Sequence, residues 1–486
     1  MKKISILLIL LFLTSMPIAN AAVTVNSLKM VNPMGQSLYT ADNKIYYSGE
    51  KAVAASASIT GGDVDEQKTV TLSYYENGIL KNTVSESLLV EEGTTVIIKT
   101  PYLMIDKTPE INIGKCVLKA MVVGEQTIET VGIGQYDIVK GLTPFYNSTT
   151  IYDESVMMVV PVGGGLAEAD LLFTPTEIIS VKNAGQDYEF IEGIDWIFED
   201  GKIKLLDWEY RADRLTQAEL YPIRGTYGAD VYGKKGGGYV IYGEGLWQKQ
   251  LSVTYTHAGD VWDGPVYRAD SDVLPKTKAK LLAGQPLKVV TNGDSISAGS
   301  GASRGAAPFM PTWSELFVRN LRNYYSSDIS FKNTALGGMT ASWGANATTL
   351  TTIKAENPDL VTIGFGANDA SGSVPKATFK TIIKTMIDSI RAARPDCEFV
   401  LVATTVANPE STNVPNDDFF TYYLEALNEL KAEDLAKGIE VLDMTTTHRK
   451  LISEKKFIDI TASNVNHQND YTLRWFAQHL TAMFVN

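Results

Sequence analysis

The sequence predicts a multidomain chain: two β-sandwich domains, followed by an α/β domain of three layers built on a parallel sheet. Three observations carry this expectation. Residues 23 to about 270 hold short, alternating apolar runs separated by turn signals, the pattern of half-buried antiparallel strands. From Leu287 onward, nearly continuous apolar runs alternate with helical stretches, as in a parallel sheet covered on both faces. A chain of 486 residues, 44% hydrophobic and 20% charged, is also long enough for two to four domains with sizeable cores.

Residues 1–21 read as a signal peptide. Lys2 and Lys3 precede the apolar run Ile4–Leu13, Pro17 breaks it, and Ala19-Asn20-Ala21 has the form of a cleavage site. The run is short for a bilayer span, so stable membrane insertion is not expected. The protein is expected to be secreted or periplasmic. Residues 23–142 read as an immunoglobulin-like sandwich, with strands such as Thr69–Tyr75, Thr94–Lys99 and Cys116–Val123 and a turn at Glu76-Asn77-Gly78. Residues 143–272 read as a second sandwich, with strands around Ser148–Met157, Glu177–Val181, Tyr239–Tyr242 and Gln250–Tyr255. Pro275 to Pro286 reads as a link into the last domain, 286–486. That domain has strand-like runs at 287–290, 331–335, 360–365, 399–403 and 439–442, with helical runs at 313–325, 379–393 and 420–436 between them.

The formal net charge of −13 and the lack of a basic stripe argue against nucleic acid as a partner. Cys116 and Cys397 fall in different predicted domains and read as buried apolar residues rather than a disulfide. Four scattered histidines and two cysteines make no metal-ligand spacing, and no cofactor is implied.

Four segments of the last domain lie where a doubly covered sheet places its ligands, beyond the carboxyl ends of the strands. They are Gly293-Asp294-Ser295, Gly337-Gly338, Gly366-Ala367-Asn368-Asp369 and Asn466-His467-Gln468-Asn469-Asp470. Taken singly, each reads as an ordinary turn or cap. In their order and placement together, they resemble the SGNH (GDSL-type) hydrolases, and the resemblance spans nearly all of 286–486. The segment 143–272 is more loosely similar to the β-sandwich preceding the catalytic domain in some bacterial members.

The resemblance implies a serine esterase. Ser295 would be the nucleophile and His467 its base, because a free serine hydroxyl needs an adjacent base to attack an ester. The oxyanion would be held by the backbone N–H groups of Ser295 and Gly338 and by the side-chain amide of Asn368. One position departs from the family pattern. The Asp expected three residues before the histidine is Asn464, which has no charge to set against an imidazolium. A backbone carbonyl orienting the ring, substitution by Asp470 or Asp459, and impaired activity all stay open, with Asp470 expected by default to cap the last helix. Asp294 and Asp369 are expected to organise the loops. Trp313, Trp343, Tyr239, Tyr242 and Trp247 are candidates for pocket or core.

The expected substrate is an acylated, in particular acetylated, carbohydrate polymer. A lipase or thioesterase acting on small or lipid esters, and a glycan-binding protein with a decayed hydrolase domain, are the competing readings. The oligomeric state is not legible.

Overall fold

The computed structural model describes residues 23–31, 40–41, 44–46, 52–76, 79–104, 116–131, 144–186, 188–206, 214–224, 231–259, 262–304, 306, 308 and 310–485. The expected signal peptide and the expected boundary at residue 142 lie outside these residues.

The N-terminal region is mostly antiparallel strands. Thr24–Val31, Ala52–Thr60 and Thr95–Lys99 form one sheet, with Leu103–Met104 on its edge. A second runs in the order Thr40–Ala41, Lys44–Tyr46, Gln126–Val131, Cys116–Val122, Glu66–Glu76, Ile79–Val90. Glu66–Glu76 shows why the pattern folds this way. Val70, Leu72 and Tyr74 point inward, while the alternate hydroxyls of Thr69, Thr71 and Ser73 meet Ser87, Ser85 and Thr83 across the hairpin at 2.8, 3.1 and 3.0 Å. The buried faces of both sheets share one apolar core of their own, from Met30 through Ala57 and Leu72 to Val122.

The C-terminal part contains a five-stranded parallel sheet: β1 (Leu287–Gly293), β2 (Ile329–Asn333), β3 (Leu360–Gly364), β4 (Glu398–Ala403) and β5 (Ile439–Asp443), in the order β2-β1-β3-β4-β5. Alternation along each strand sorts its side chains into two cores. Val289, Val400 and Val402 meet Trp313 and Phe317 of helix Trp313–Tyr324 and Phe476 of helix Asp470–Ala482. Val290, Val361, Phe399 and Leu401 meet Phe379 of helix Lys376–Ala393 and Phe420 of helix Asp418–Glu433. Among the described residues, no helix is long and apolar enough to cross a membrane.

Two expectations are corrected. Pro275–Pro286 is not a plain linker, because Pro275–Leu282 is a helix. Proline suits its first turn, and its free N–H groups at Lys276 and Thr277 donate to the Glu398 carboxylate at 3.0 and 2.7 Å. A cap borrowed from more than a hundred residues away leaves no local signal. The region 143–272 also lacks a separate core. Its strands Thr150–Val156, Leu251–His257, Pro175–Asn183 and Glu189–Phe190 form an antiparallel sheet, beside a three-stranded sheet and the hairpin Val231–Gly233/Tyr239–Ile241. The apolar residues of the two sheets are continuous with the core of the C-terminal part around Trp475 and Phe476, while Ile241 of the hairpin and Leu246 pack in a smaller cluster with Ile458 of that part. Phe145 packs 5.0 Å from Trp475, and the buried Arg474 donates to the carbonyls of Tyr152 and Asp153. Buried Lys455 pairs with buried Glu154 across the same junction.

Candidate active site

The site is assembled at the carboxyl end of β1. Gly293 lets the chain turn there, because a Cβ would come within 2.4 Å of Ser297 Oγ and 2.5 Å of the Gly364 carbonyl. Asp294 follows as the N-cap of a short helix, Ser295–Ala298, its carboxylate accepting from the Ile296 N–H at 3.0 Å. Ser295 is thereby the first residue of a helical turn, only 7% exposed.

His467 reaches it from the loop before the last helix. The carbonyl of His467 accepts from the Ala462 N–H and the Thr461 hydroxyl, both at 2.8 Å, which holds the loop closed on itself. His467 Nε2 lies 3.0 Å from Ser295 Oγ. On the other side of the ring, Nδ1 lies 2.8 and 2.9 Å from the two carboxylate oxygens of Glu244. A carboxylate only accepts, so Nδ1 carries the proton and Nε2 is left as the acceptor for the serine hydroxyl.

Beside Ser295 runs the turn after β2. Leu336 donates to the Gly293 carbonyl at 3.0 Å, and a Cβ on Gly337 would stand 3.7 Å from Ser295 Cβ. Gly338 has φ +78, left-handed backbone that favours glycine. Asn368 lies in the short helix Ala367–Ser371 after β3, one N–H of its amide donating to the Met339 carbonyl at 2.9 Å. An amide nitrogen carries a second hydrogen for an incoming oxyanion.

Burial dominates the nearby acids. It pushes the Asp294 carboxyl up to about 7 and the Asp369 carboxyl up to about 6. Asp369 accepts twice from the Ala341 N–H at 3.1 Å, tying β3's end to the β2 turn. Glu244 differs. Partial burial raises it, but the hydrogen bond and charge of His467, together with the Tyr242 hydroxyl, outweigh this and hold it below the usual carboxylate range.

The structure does not bring the expected orienting groups to His467. Asn464, with φ +63, donates to the Ile241 carbonyl at 3.0 Å and accepts from Asn408. Asp470 holds the Ser303 N–H and hydroxyl, and Asn469 rather than Asp470 caps the last helix. Asp459 accepts from the Met157 N–H at 2.7 Å. Each side chain is thus engaged in joining loops elsewhere. The group that does face Nδ1, Glu244, was missed, because its only local mark is a glutamate between Gly243 and Gly245. Of the aromatic candidates, Trp313 is core, stacked on Phe476, Trp343 packs against the opposite core, and Tyr242 donates to Glu244 at 3.2 Å. Among the described residues no His, Cys, Asp and Glu cluster suited to a metal is present.

Residues 292–471 match the GDSL-like Lipase/Acylhydrolase family, so this part of the chain is a domain of that family. No curated protein sequence matches the chain. Solved structures similar to it include a two-domain esterase active on acetylated mannans, co-crystallized with mannopentaose, at 19% identity and TM-score 0.36 over 45% of this chain and 54% of that one. Others are the lipase/acylhydrolase from Enterococcus faecalis, at 23% identity and TM-score 0.31 over 40% and 93%, and TesA, at 20% identity and TM-score 0.26 over 32% and 76%.

Proposed function

From the premise that the chain carries a GDSL-like acylhydrolase domain, we propose that it is an exported serine esterase removing short O-acyl groups, in particular acetyl, from a carbohydrate polymer. The observation that carries the hydrolytic reading is the 3.0 Å contact between Ser295 Oγ and His467 Nε2 beside the Gly337-Gly338 turn and Asn368. Ser295 attacks the ester carbonyl as its proton passes to His467 Nε2. The tetrahedral oxyanion is held by the N–H groups of Ser295 and Gly338 and by the Asn368 amide, each donor contributing about 10²–10³ in rate. The imidazolium then gives its proton to the leaving alcohol. Water, activated by His467, releases the acid from the acyl-serine.

The choice of a short acyl group is supported by the near-complete burial of Ser295. A sugar carrier is supported by the tyrosines next to Glu244, the partner of His467. Tyr232 and Tyr242 meet edge to face at 5.8 Å, and aromatic rings of this kind stack on sugar faces. Export is supported by the charged-then-apolar segment at residues 1–21.

The test is hydrolysis of p-nitrophenyl acetate, longer-chain esters and acetylated glycans by wild type, Ser295→Ala and His467→Ala. Acetate-selective turnover lost by about 10⁴ or more in either variant is expected. A preference for long acyl chains would move the reading to a lipase. No turnover by a folded wild type would reject the esterase.

A further inference from the structure

We infer that Glu244, which lies outside the matched segment 292–471, is the positioning residue of His467, so that the middle β region completes the catalytic apparatus of the hydrolase domain. This rests on the serine-esterase reading above and adds to it where the third group comes from. Glu244 is 223 residues from His467 in sequence and belongs to the region that begins at Phe145.

The segment carrying Glu244 is fastened to the hydrolase on both sides. Upstream, the hairpin Val231–Gly233/Tyr239–Ile241 is docked on the loop at residues 408–413, with Lys235 N donating to the Glu410 carbonyl at 2.7 Å and Thr412 N to the Gly233 carbonyl at 2.8 Å. Around the glutamate itself, Gly243 N donates to Ser463 O at 3.4 Å and Trp247 N to Ala462 O at 3.3 Å. These acceptors lie in the same loop that presents His467. Asn464 completes the clamp through its side-chain donor on the Ile241 carbonyl, 3.0 Å away. The residue at the family's Asp position therefore does not contact the imidazole. It holds the strand whose extension brings a carboxylate from the other direction. A side-chain oxygen alone could not do this, because an Asp has no hydrogen to donate to Ile241.

The chemistry fits the position. An ionised carboxylate on Nδ1 selects the tautomer that leaves Nε2 basic, and it stabilises the imidazolium formed during attack. Among the described residues the ring nitrogens meet Ser295 and Glu244, with Tyr242 behind Glu244, and the buried Asp294 interacts with His467 through charge. Of these, Glu244 alone meets Nδ1. Its side chain is 50% exposed, so solvent screens the pair. Its removal should cost less than the ~10⁴ measured at a buried triad aspartate elsewhere.

The test compares Glu244→Gln, Glu244→Ala and Asn464→Asp with wild type and Ser295→Ala in the full chain. For Glu244→Gln the expected result is a kcat lower by about 10²–10³, a KM within about threefold, and an unchanged melting temperature. The acid limb of the kcat/KM profile should move to lower pH, because losing the carboxylate makes the imidazolium easier to deprotonate. Asn464→Asp should lower kcat too, and it should not rescue Glu244→Gln. The histidine titration, followed by NMR, reads the same contact without turnover. Burial pushes His448 and His479 down to about 3, and the His467 signal is assigned by its loss in His467→Asn. A Glu244→Gln variant with kcat and acid limb unchanged, beside an inactive Ser295→Ala, overturns the inference and leaves the esterase standing. A wild type inert on esters, but with a His467 titration that falls in Glu244→Gln, keeps the contact and rejects the esterase. A titration that does not move overturns the inference outright.

Discussion

Residues 23–131 and 144–257 are both runs of antiparallel strands, yet they stand in different relations to the rest of the chain. The first closes its two sheets on each other around a core that, among the described residues, runs from Met30 to Val122. The second turns its apolar side chains toward helix Asp470–Ala482 and shares a core with the hydrolase sheet. Buried polar side chains bind it there: Arg474 on the Tyr152 and Asp153 carbonyls, Asn469 on Ser155 and Gln250, and Lys455 on Glu154. Alternation along a strand says which face is apolar. It does not say what that face will meet, and here one face meets its own chain segment and the other meets an enzyme.

The sharpest way to break this contrast is at the buried ion pair. Lys455→Met leaves Glu154 buried with its charge uncompensated, a loss of about 3–5 kcal/mol in stability. Activity and fold should be lost together in a urea titration, because the pair joins the middle region to the loop leading to His467. A cut of similar size in the other region should behave differently. Leu72→Ala removes a fully buried side chain of the N-terminal core and should cost that region about 2–5 kcal/mol, with kcat/KM of the folded protein unchanged. Activity lost in step with the N-terminal transition would show that the two regions unfold as one unit.

The last comparison is inside the C-terminal part and depends on pH, at Asp294 beside Ser295. Asp294 is pushed up to about 7 by burial, against about 3.9 in an unfolded chain. Between those values the folded state binds more protons, so stability falls as pH rises. Asp294→Asn keeps an oxygen for the Ile296 N–H and has no proton to lose. Its melting temperature relative to wild type should therefore climb from about pH 4 to about pH 7. Asp369 and Asp470, both raised to about 6 by burial, keep part of the slope in either protein. A gap that stays constant with pH would mean that Asp294 is ionised throughout.

The parallel sheet, its flanking helices, the placing of Ser295, Gly338 and Asn368 just after strands and that of His467 just before the last helix were legible from short-range pattern. Each depends on residues within a few positions of one another: an apolar run, a glycine where the chain must turn, an Asp capping the next helix. The helix Pro275–Leu282 was not legible, since its N–H groups are satisfied by Glu398. The roles of Asn464, Asp459 and Asp470, left open in the sequence save for Asp470 as a helix cap, were not legible for the same reason, their partners being Ile241, Met157 and Ser303.

Local alternation and turn chemistry were enough to read the strands and helices of the parallel sheet, and the order of four turn motifs along it carried the resemblance that points to Ser295 and His467. Which carboxylate faces the base, and whether a β region stands alone or becomes a layer of the enzyme, were decided only when the chain closed on itself. Glu244 and His467 have no common local pattern. Their contact exists because the burial of Ile241 and Leu246 with Ile458 and the clamps at Ser463, Ala462 and Asn464 bring a distant hairpin against the histidine loop.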